Sequence, residues 1–271
     1  MRRSPAGTAF AWSGRLLVVL ILAFVILPAL VVTMTAFNDR AILSFPPQVY
    51  SLRWFHRALE YGDFRKGFWN GLKVTACAST LALLVGSSLA FALHRYSFPL
   101  KSTLEGVLLS PLVIPHFTIG LGLLMLSALT GTGRGFALVV FAHVVLVLPF
   151  VLRSVFISLE NLDLRLEMAA ASLGATPLRI LLTITLPLLL PGLVSGWLFA
   201  AILSFNEFTA TLFVTTQATQ TLPVAMYNYV REYADPTLAA LSVIYIVVTA
   251  ALLSLANAFL GLGKVLNVDA H

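Results

Sequence analysis

The sequence predicts an all-α integral membrane protein with six transmembrane helices. Of 271 residues, 59% are hydrophobic and only 10% are charged, and the mean hydropathy is +0.95. A soluble domain is about 45–50% apolar and about 25% charged, and its core could not hold so many apolar side chains. A bilayer accepts them without a polar covering layer. Because the apolar runs follow one another closely, we expect no separate soluble domain.

Apolar stretches between charged residues locate the predicted spans, since about 20 helical residues cross the hydrocarbon layer. Backbone polar groups in lipid must be satisfied within the segment, so each span is expected to be helical. The six stretches lie between Arg15 and Asp39, Lys73 and Arg95, Glu105 and Arg134, Arg134 and Arg153, over 188–214, and between Asp235 and Lys264.

Both termini are expected on the cytoplasmic side, because six crossings return the chain to the side where it began. The N-terminal tail carries Arg2, Arg3 and Arg15 and no acid, and basic residues favour the cytoplasm. The other bases divide almost evenly between the two sides. The first apolar stretch exceeds the core of a signal peptide, about 7–15 residues, so we interpret it as a retained span.

The segment 38–70 is too polar to span and alternates aromatic and charged residues. Pro46 and Pro47 interrupt it, and 52–58 is predicted as a short amphipathic helix. The segment is interpreted as a membrane anchor or as a partner-binding surface. The net charge of +6 comes from bases scattered between apolar runs, which argues against nucleic acid as a partner.

A helical hairpin is predicted in the loop between the fourth and fifth spans. Residues 162–173 have helical composition with apolar residues at three-to-four-residue spacing. Gly174 then ends this helix as a C-cap. Thr176 and Pro177 begin a second helix as N-cap and first residue. Two short helices with a tight turn suit insertion into a groove of another protein.

The same loop resembles the transmembrane subunits of type I ABC importers. Their pattern is Glu-Ala-Ala, three residues, Gly, nine residues, Ile, one residue, Leu-Pro. Met168 replaces the glutamate of that pattern, and Glu167 lies one residue earlier. The matching positions in this sequence are Ala169, Ala170, Gly174, Ile184, Leu186 and Pro187.

Further segments are most similar to the spermidine/putrescine-type permeases: FPPQ at 45–48, SLRWF at 51–55, LSFNEF at 203–208 and TQTLPV at 219–224. Related permeases carry aminophosphonates or ferric iron. The resemblance implies a multi-pass protein of the bacterial inner membrane. Its regions would be 1–65, a permease domain over 66–262 with the coupling loop at 160–187, and a tail over 263–271.

The resemblance also implies an assembly. Two ATPase subunits would hold the hairpin and would bind ATP and Mg²⁺. A second permease subunit or a second copy of this chain would pair with it, and an extracytoplasmic solute-binding protein would dock outside. This chain itself would bind no cofactor and catalyse no reaction.

The sequence lacks the motifs of several enzyme classes. It contains no GxxxxGK[ST] phosphate loop, no HExxH and no GxSxG, so the sequence shows no motif for ATP hydrolysis or for intramembrane proteolysis. The single cysteine, Cys77, cannot form an internal disulfide or a cysteine cluster for a metal, and we expect it in the core. Catalytic and metal-binding residues are therefore not expected.

Glu207 is the only carboxylate inside a predicted span, and a buried acid in lipid is costly unless it has a partner or faces a pathway. It is a candidate for the substrate pathway, with a structural hydrogen bond as the alternative. Asn206 beside it is a second candidate, although it points about 100° away on an ideal helix. His116 and His143 are interpreted as core residues.

Proline and glycine mark expected features of the third span. Pro111 and Pro115 remove backbone donors and can kink its helix. Gly86 in the second span, and Gly120 and Gly122 in the third, allow close helix approach in lipid.

The loop 215–236 carries tyrosines and charges typical of a protein interface. Tyr227, Tyr229, Arg231 and Glu232 are candidates for a surface on which the binding protein docks. The alternative is a short interfacial helix anchored by its tyrosines.

Two other classes of protein are open at this stage. A secondary transporter or channel would work without an ATPase, and it would typically show more intramembrane charges or an inverted repeat. A membrane scaffold would use the hairpin only as an assembly contact.

Overall fold

The computed structural model describes residues 5–41 and 45–260. Regular structure in these ranges is helical apart from one bridged pair, Asn38 and Tyr50. Arg2, Arg3, Lys264 and the expected tail 263–271 lie outside them. The α-helices in the described ranges are α1 Pro5–Ala36, α2 Arg53–Glu60, α3 Gly62–Arg95, α4 Lys101–Leu109, α5 His116–Thr130, α6 Phe136–Glu160, α7 Leu164–Ser172, α8 Pro177–Ile180, α9 Leu186–Phe205, α10 Thr211–Val214, α11 Leu222–Glu232 and α12 Thr237–Leu260.

Four helices in the described part of the chain are long and apolar enough to cross a membrane, which confirms the all-helical membrane fold. The pair α4 and α5 passes the same test together, bent by 105°, and counts as a fifth crossing if it is one span. α12 contributes a shorter apolar stretch, Thr237–Ala251. The four single spans are Gly14–Ala36, Gly62–Arg95, Phe136–Glu160 and Pro177–Phe205.

Several span boundaries differ from the expectation: α3 starts at Gly62 instead of after Lys73, and the fifth span starts at Pro177 instead of 188. α6 continues past Arg153 to Glu160. A long arginine side chain near a helix end can extend its charge to the interface, so this charge does not have to end the span. α9 ends at Phe205, before the expected end at 214, and Glu207 therefore follows the helix instead of lying within it.

The described part of the chain divides into two compact units, one of residues 5–41, 45–61 and 228–260, and one of residues 62–227. In the first unit, α12 packs against α1 and α2. The predicted short helix at 52–58 is confirmed as α2. Its Trp54 is buried, and the indole N–H donates to the Asn38 carbonyl at 2.6 Å. Trp54 is thus a core residue of this unit, although the segment 38–70 around it is interpreted from the sequence as a membrane anchor or a partner-binding surface.

The second unit is built on α3, α6 and α9. The N-terminal half of α3 packs near the start of α6, where Val74 and Val139 share one cluster. Its C-terminal half packs near the end of α6, where Leu93 and Leu159 share another. α3 and α6 therefore run parallel, and the bent pair α4 and α5 carries the chain back between them. Leu189 at the start of α9 joins the second cluster, so α9 runs antiparallel to both.

Small residues bring these helices close together. A Cβ on Gly86 would lie 3.0 Å from the Val151 side chain. A Cβ on Gly192 would overlap the Ser158 hydroxyl, and one on Gly196 would lie 3.3 Å from the Ser154 Cβ. The Ser154 hydroxyl donates to the Gly192 carbonyl at 2.9 Å. Such small-residue contacts with polar bonds are typical of helix association in lipid.

The expected kink in the third span is a sharp break between α4 and α5. Pro111 lies in a single 3₁₀ turn, Ser110–Leu112, and Pro115 precedes the first residue of α5. Further along α5, Gly120 packs against α10: a Cβ there would lie 2.7 Å from the Ala210 Cα. Gly122 has open space around its Cβ position, so its expected packing role is not found in this chain.

Cys77 is exposed, which corrects its expected place in the core. It lies on the wall of an apolar groove of about 800 Å³ that α3, α4 and α6 line.

The two glycines of α5 give a matched pair of variants. Gly120→Ala should lower stability by about 1–3 kcal/mol, because the new methyl group meets the backbone of Ala210. Gly122→Ala should raise it by about 0.5–1 kcal/mol, because alanine favours helix and its methyl group meets nothing. Thermal unfolding of the purified protein in detergent measures both. Equal shifts for the two variants would contradict the close contact with α10.

Candidate functional site

The predicted hairpin is present, with its turn at Gly174. Asp163 caps α7 by accepting from the Arg165 backbone N–H at 2.9 Å. Gly174 has φ of +83°, its N–H donates to the Ala171 carbonyl at 3.0 Å, and the Ala175 N–H donates to the Ala170 carbonyl at 3.1 Å. These two bonds form a Schellman motif, and the positive φ explains why glycine stands here.

The second helix of the hairpin begins as predicted and leads directly into a span. Thr176 caps α8 by accepting from the Arg179 backbone N–H at 3.4 Å, and Pro177 is the first helical residue. α8 continues through a π-helical turn, Leu181–Thr185, into α9. Pro187 has no N–H for the carbonyl four residues earlier, so an irregular turn at this point is physically reasonable.

Large apolar side chains of the hairpin are exposed. Met168 is 60% exposed, Leu173 89% and Leu178 65%. Ala169 is exposed beside them, whereas Ala170 and Ile184 are half-buried. Leu186 and Pro187 at the start of α9 are also exposed. Exposed apolar residues grouped on one small element are typical of a protein-binding surface.

Glu167 points into the protein and binds two distant residues. Its carboxylate accepts hydrogen bonds from the Arg95 guanidinium at the end of α3. It also accepts from the Thr185 hydroxyl, at 2.6 Å, in the π-helical turn. The neighbouring Met168 stays exposed, so the acid and the exposed side chain have separate positions on α7. Sequence reasoning missed both partners, because 72 and 18 residues separate them from Glu167.

Glu207 lies in the break between α9 and α10 and is 9% exposed. Its Oε1 accepts from the Ala210 backbone N–H at 2.7 Å, and its Oε2 lies 2.7 Å from His116 Nδ1. His116, interpreted as a core residue, is therefore the partner of this acid, and its side chain is 46% exposed. The Asn206 amide donates to the Ile202 carbonyl at 2.7 Å, so the two candidate pathway residues bind different groups.

His143 is a core residue, as interpreted from the sequence, and it binds both helices that flank the break between α9 and α10. It is 1% exposed. Its Nδ1 lies 2.8 Å from the Ser204 hydroxyl near the end of α9, and its Nε2 lies 2.8 Å from the Thr211 hydroxyl at the start of α10. Both ring nitrogens are thus satisfied, and the ring joins the two helices that flank Glu207.

The candidate docking residues of α11 differ in exposure. Tyr227, Arg231 and Glu232 are exposed. Tyr229 is 1% exposed, and its hydroxyl donates to the Asp235 carboxylate at 3.0 Å. Burial raises the pKa of the Tyr229 hydroxyl, so it stays protonated at neutral pH and remains a donor. Tyr229 is a packing residue, and its expected place on an exposed docking surface is corrected.

Several apolar helices with a helical hairpin before the α8–α9 span are the architecture of a multi-pass membrane transport protein. The chain belongs to the family described as "binding-protein-dependent transport system inner membrane component", whose model matches residues 82–261. The match includes the hairpin and the break at Glu207. The family resemblance stated from the sequence is therefore confirmed.

Individual relatives are named as permease proteins of transport systems. The spermidine/putrescine transport system permease protein PotC of Haemophilus influenzae is 32% identical over 236 residues, covering 87% of this chain and 91% of that protein. The putrescine permease PotI of Escherichia coli K12 is 31% identical over 235 residues, 83% of each chain. The molybdenum permease ModB of H. influenzae is 38% identical over 176 residues, 59% of this chain and 77% of that protein.

Solved structures share the fold. A chain of a bacterial ABC transporter involved in alginate import superposes with a TM-score of 0.71 at 16% identity, covering 94% of this chain and 98% of that one. A chain of the MetNI methionine ABC transporter superposes with a TM-score of 0.60 at 21% identity, covering 76% and 96%.

Removal of the Glu207 carboxylate should destabilise the break. Glu207→Ala leaves the Ala210 N–H and His116 without their partner, so we expect a loss of about 1–3 kcal/mol. Glu207→Gln keeps an acceptor for the Ala210 N–H and should lose less. Asn206→Ala is the neighbouring control and should change stability by about 0.5 kcal/mol or less.

Thermal unfolding in detergent measures these three variants, and solute uptake by the assembled complex is the second measurement. A Glu207→Gln variant of normal stability and normal assembly that loses uptake would contradict the structural interpretation and favour a role in the substrate pathway. Normal stability and normal uptake would exclude both electrostatic roles.

Proposed function

We propose that this chain is the membrane-spanning permease subunit of an ATP-driven, binding-protein-dependent solute importer of the bacterial inner membrane. The observation that carries the proposal is the hairpin of α7 and α8, which directly precedes the N-terminal end of α9 (called the foot of α9 below). It is compact, it exposes apolar side chains, and it continues without a loop into a span. A protein that grips this hairpin would act directly on a membrane helix.

The proposed topology has six spans with both termini in the cytoplasm. It takes α1, α3, the pair α4 and α5, α6, the α8–α9 helix and α12 as the crossings. The parallel course of α3 and α6 supports the bent pair as one crossing, because the chain must return between them. The ends of α3 and α6 then lie on the cytoplasmic side together with the hairpin, where an ATPase can reach it.

The proposed assembly contains two ATPase subunits, a second permease subunit or a second copy of this chain, and an extracytoplasmic binding protein. ATP and Mg²⁺ would be bound by the ATPase subunits, and this chain would supply translocation alone. The description of the matched family supports the binding protein as a partner. The structural neighbours, both from ABC transporters, support the same architecture.

Polyamines are the proposed solutes. Support comes from PotC and PotI, whose alignments extend over most of this chain. The ModB relative covers 59% of it and is named for molybdenum, so an oxyanion is the alternative to test. The two solute classes have opposite charge and are readily distinguished.

The test is uptake by the purified complex. The tagged chain is isolated from its own membranes with its bound partners, reconstituted in liposomes and supplied with labelled putrescine, spermidine or molybdate in the presence of its binding protein. We expect ATP-dependent polyamine uptake. Uptake without an ATPase would favour a secondary transporter or channel, and assembly without uptake of any solute would favour a scaffold.

Gly174→Val should uncouple the complex. Valine at a φ of +83° is strained and would disturb the turn of the hairpin. We expect normal membrane insertion with uptake reduced about fivefold or more, since local strain of about 1–3 kcal/mol corresponds to a factor of roughly 5 to 150. Gly106→Val, at an open position of α4, is the matched control. Full uptake and full ATPase association in the Gly174 variant would disprove the coupling role.

Reversal of the charges at Arg231 and Glu232 should weaken docking of the binding protein. Both residues are exposed on α11, and interfacial charges steer association in a salt-dependent manner. We expect weaker stimulation of ATPase activity by the binding protein in the Arg231→Glu/Glu232→Arg variant, with an altered dependence on salt. Normal stimulation at every salt concentration would remove these residues from the docking surface.

A further inference from the structure

Three separate parts of the second unit meet at one carboxylate. Glu167 lies on α7 of the hairpin, Arg95 is the last residue of α3, and Thr185 ends the π-helical turn that precedes α9. Both oxygens of Glu167 accept from Arg95, and Oε1 also accepts from Thr185 at 2.6 Å. The three residues are called the Glu167 clamp below.

The clamp is largely shielded from solvent. The side chains of Arg95 and Glu167 are 23% and 15% exposed, and Thr185 is 2% exposed. Ion pairs that are partly removed from water are less screened than surface pairs, and loss of one partner leaves the other charge without compensation. The clamp is therefore a stronger connection than the exposed pair of Arg165 and Asp163 on the same helix, whose closest approach is 4.0 Å.

The clamp adds a polar connection between α7 and α3, whereas the connection between the hairpin and α9 also runs along the chain through α8. α7 has no fully buried residue, and it contacts α8 and the π-helical turn. Glu167 supplies charged hydrogen bonds from α7 to Arg95 at the end of α3 and to Thr185 before α9. Loss of its charge would remove the ionic connection between α7 and α3.

We propose that Glu167 is a positioning residue that makes the hairpin, the end of α3 and the foot of α9 move as one body. This inference rests on the proposed function, because it assigns the route by which movement of a hairpin-bound ATPase enters the membrane helices. The bond between Glu167 and Thr185 attaches the π-helical turn to α7. π-turns often mark functional positions inside longer helices, and here the turn carries the Thr185 donor.

The experiment measures solute uptake per ATP hydrolysed in proteoliposomes containing the complex. Glu167→Gln should lower this ratio about tenfold, within the range typical of coupling between sites, while ATPase association and ATP hydrolysis persist. Thr185→Val should lower it less, since it removes a single hydrogen bond. Glu105→Gln, which removes an acid from α4 at the same end of the protein, should leave the ratio unchanged. The exchanged pair Arg95→Glu/Glu167→Arg should recover part of the loss.

A second measurement needs no partner protein. Amide hydrogen exchange of the isolated chain in detergent should be about tenfold faster in α7 and in Leu181–Thr185 for Glu167→Gln, because a charged hydrogen bond is lost. Unchanged exchange in these segments would overturn the clamp. An unchanged uptake ratio, or a lower uptake caused only by poor assembly, would overturn its role in coupling. Absence of ATP-dependent uptake in the unmodified complex would instead refute the proposed function, and the exchange measurement would still decide whether the clamp exists.

Discussion

The close approach of α6 and α9 is the contact on which both candidate sites depend. Lipid provides no hydrophobic force between helices, so their association needs tight packing and polar bonds. Gly192 and Gly196 allow α9 to touch the Ser154 and Ser158 turn of α6, and the Ser154 hydroxyl adds a bond to the Gly192 carbonyl. A bulkier residue at either glycine would separate the helices. Because this packing fixes the position of α9 against α6, it also fixes the two ends of α9, where the candidate sites lie.

Those two ends carry irregular backbone, and a carboxylate lies at each of them. At one end the π-helical turn leads into Pro187, and Thr185 of this turn binds Glu167. At the other end the chain leaves the helix, and Glu207 accepts the Ala210 N–H. Non-helical backbone at membrane depth persists only where protein groups or water complete its hydrogen bonds. Glu207 therefore has a structural reason in addition to any role in transport, whereas Glu167 binds side chains of the neighbouring elements.

The sequence predicts features that depend on neighbouring residues better than features that depend on distant ones. The hairpin follows from Gly174 and Thr176-Pro177, because a left-handed cap and an N-cap act within a few residues. The predicted end of the fifth span at Val214 is wrong, because apolar residues resume after Asn206 and Glu207 and conceal the end of α9 at Phe205.

The partners in the candidate sites show the same limit. His116 pairs with Glu207 from 91 residues away and Arg95 with Glu167 from 72, and a single sequence contains no signal for such pairs. The buried position of Tyr229 likewise depends on its bond to Asp235 and on ring contact with Tyr61. A tyrosine on an exposed surface and one on the packed face of a helix have the same local sequence pattern, so its exposure can be read only from the structure.

The contacts of Glu207 restrict how a cationic solute could use it. Oε1 accepts from a backbone N–H that belongs to the fold, and Oε2 lies against His116, so each oxygen already has a protein partner. The His116 ring is half-exposed, and it is the partner that a cation could displace without breaking a backbone hydrogen bond. Because His116 is the first residue of α5 and Glu207 follows the last turn of α9, displacement would remove one of the contacts between α5 and this segment, and the packing of Gly120 against Ala210 would remain. In the proposed importer, solute at one end of α9 and the ATPase at the other would thus act on the same helix.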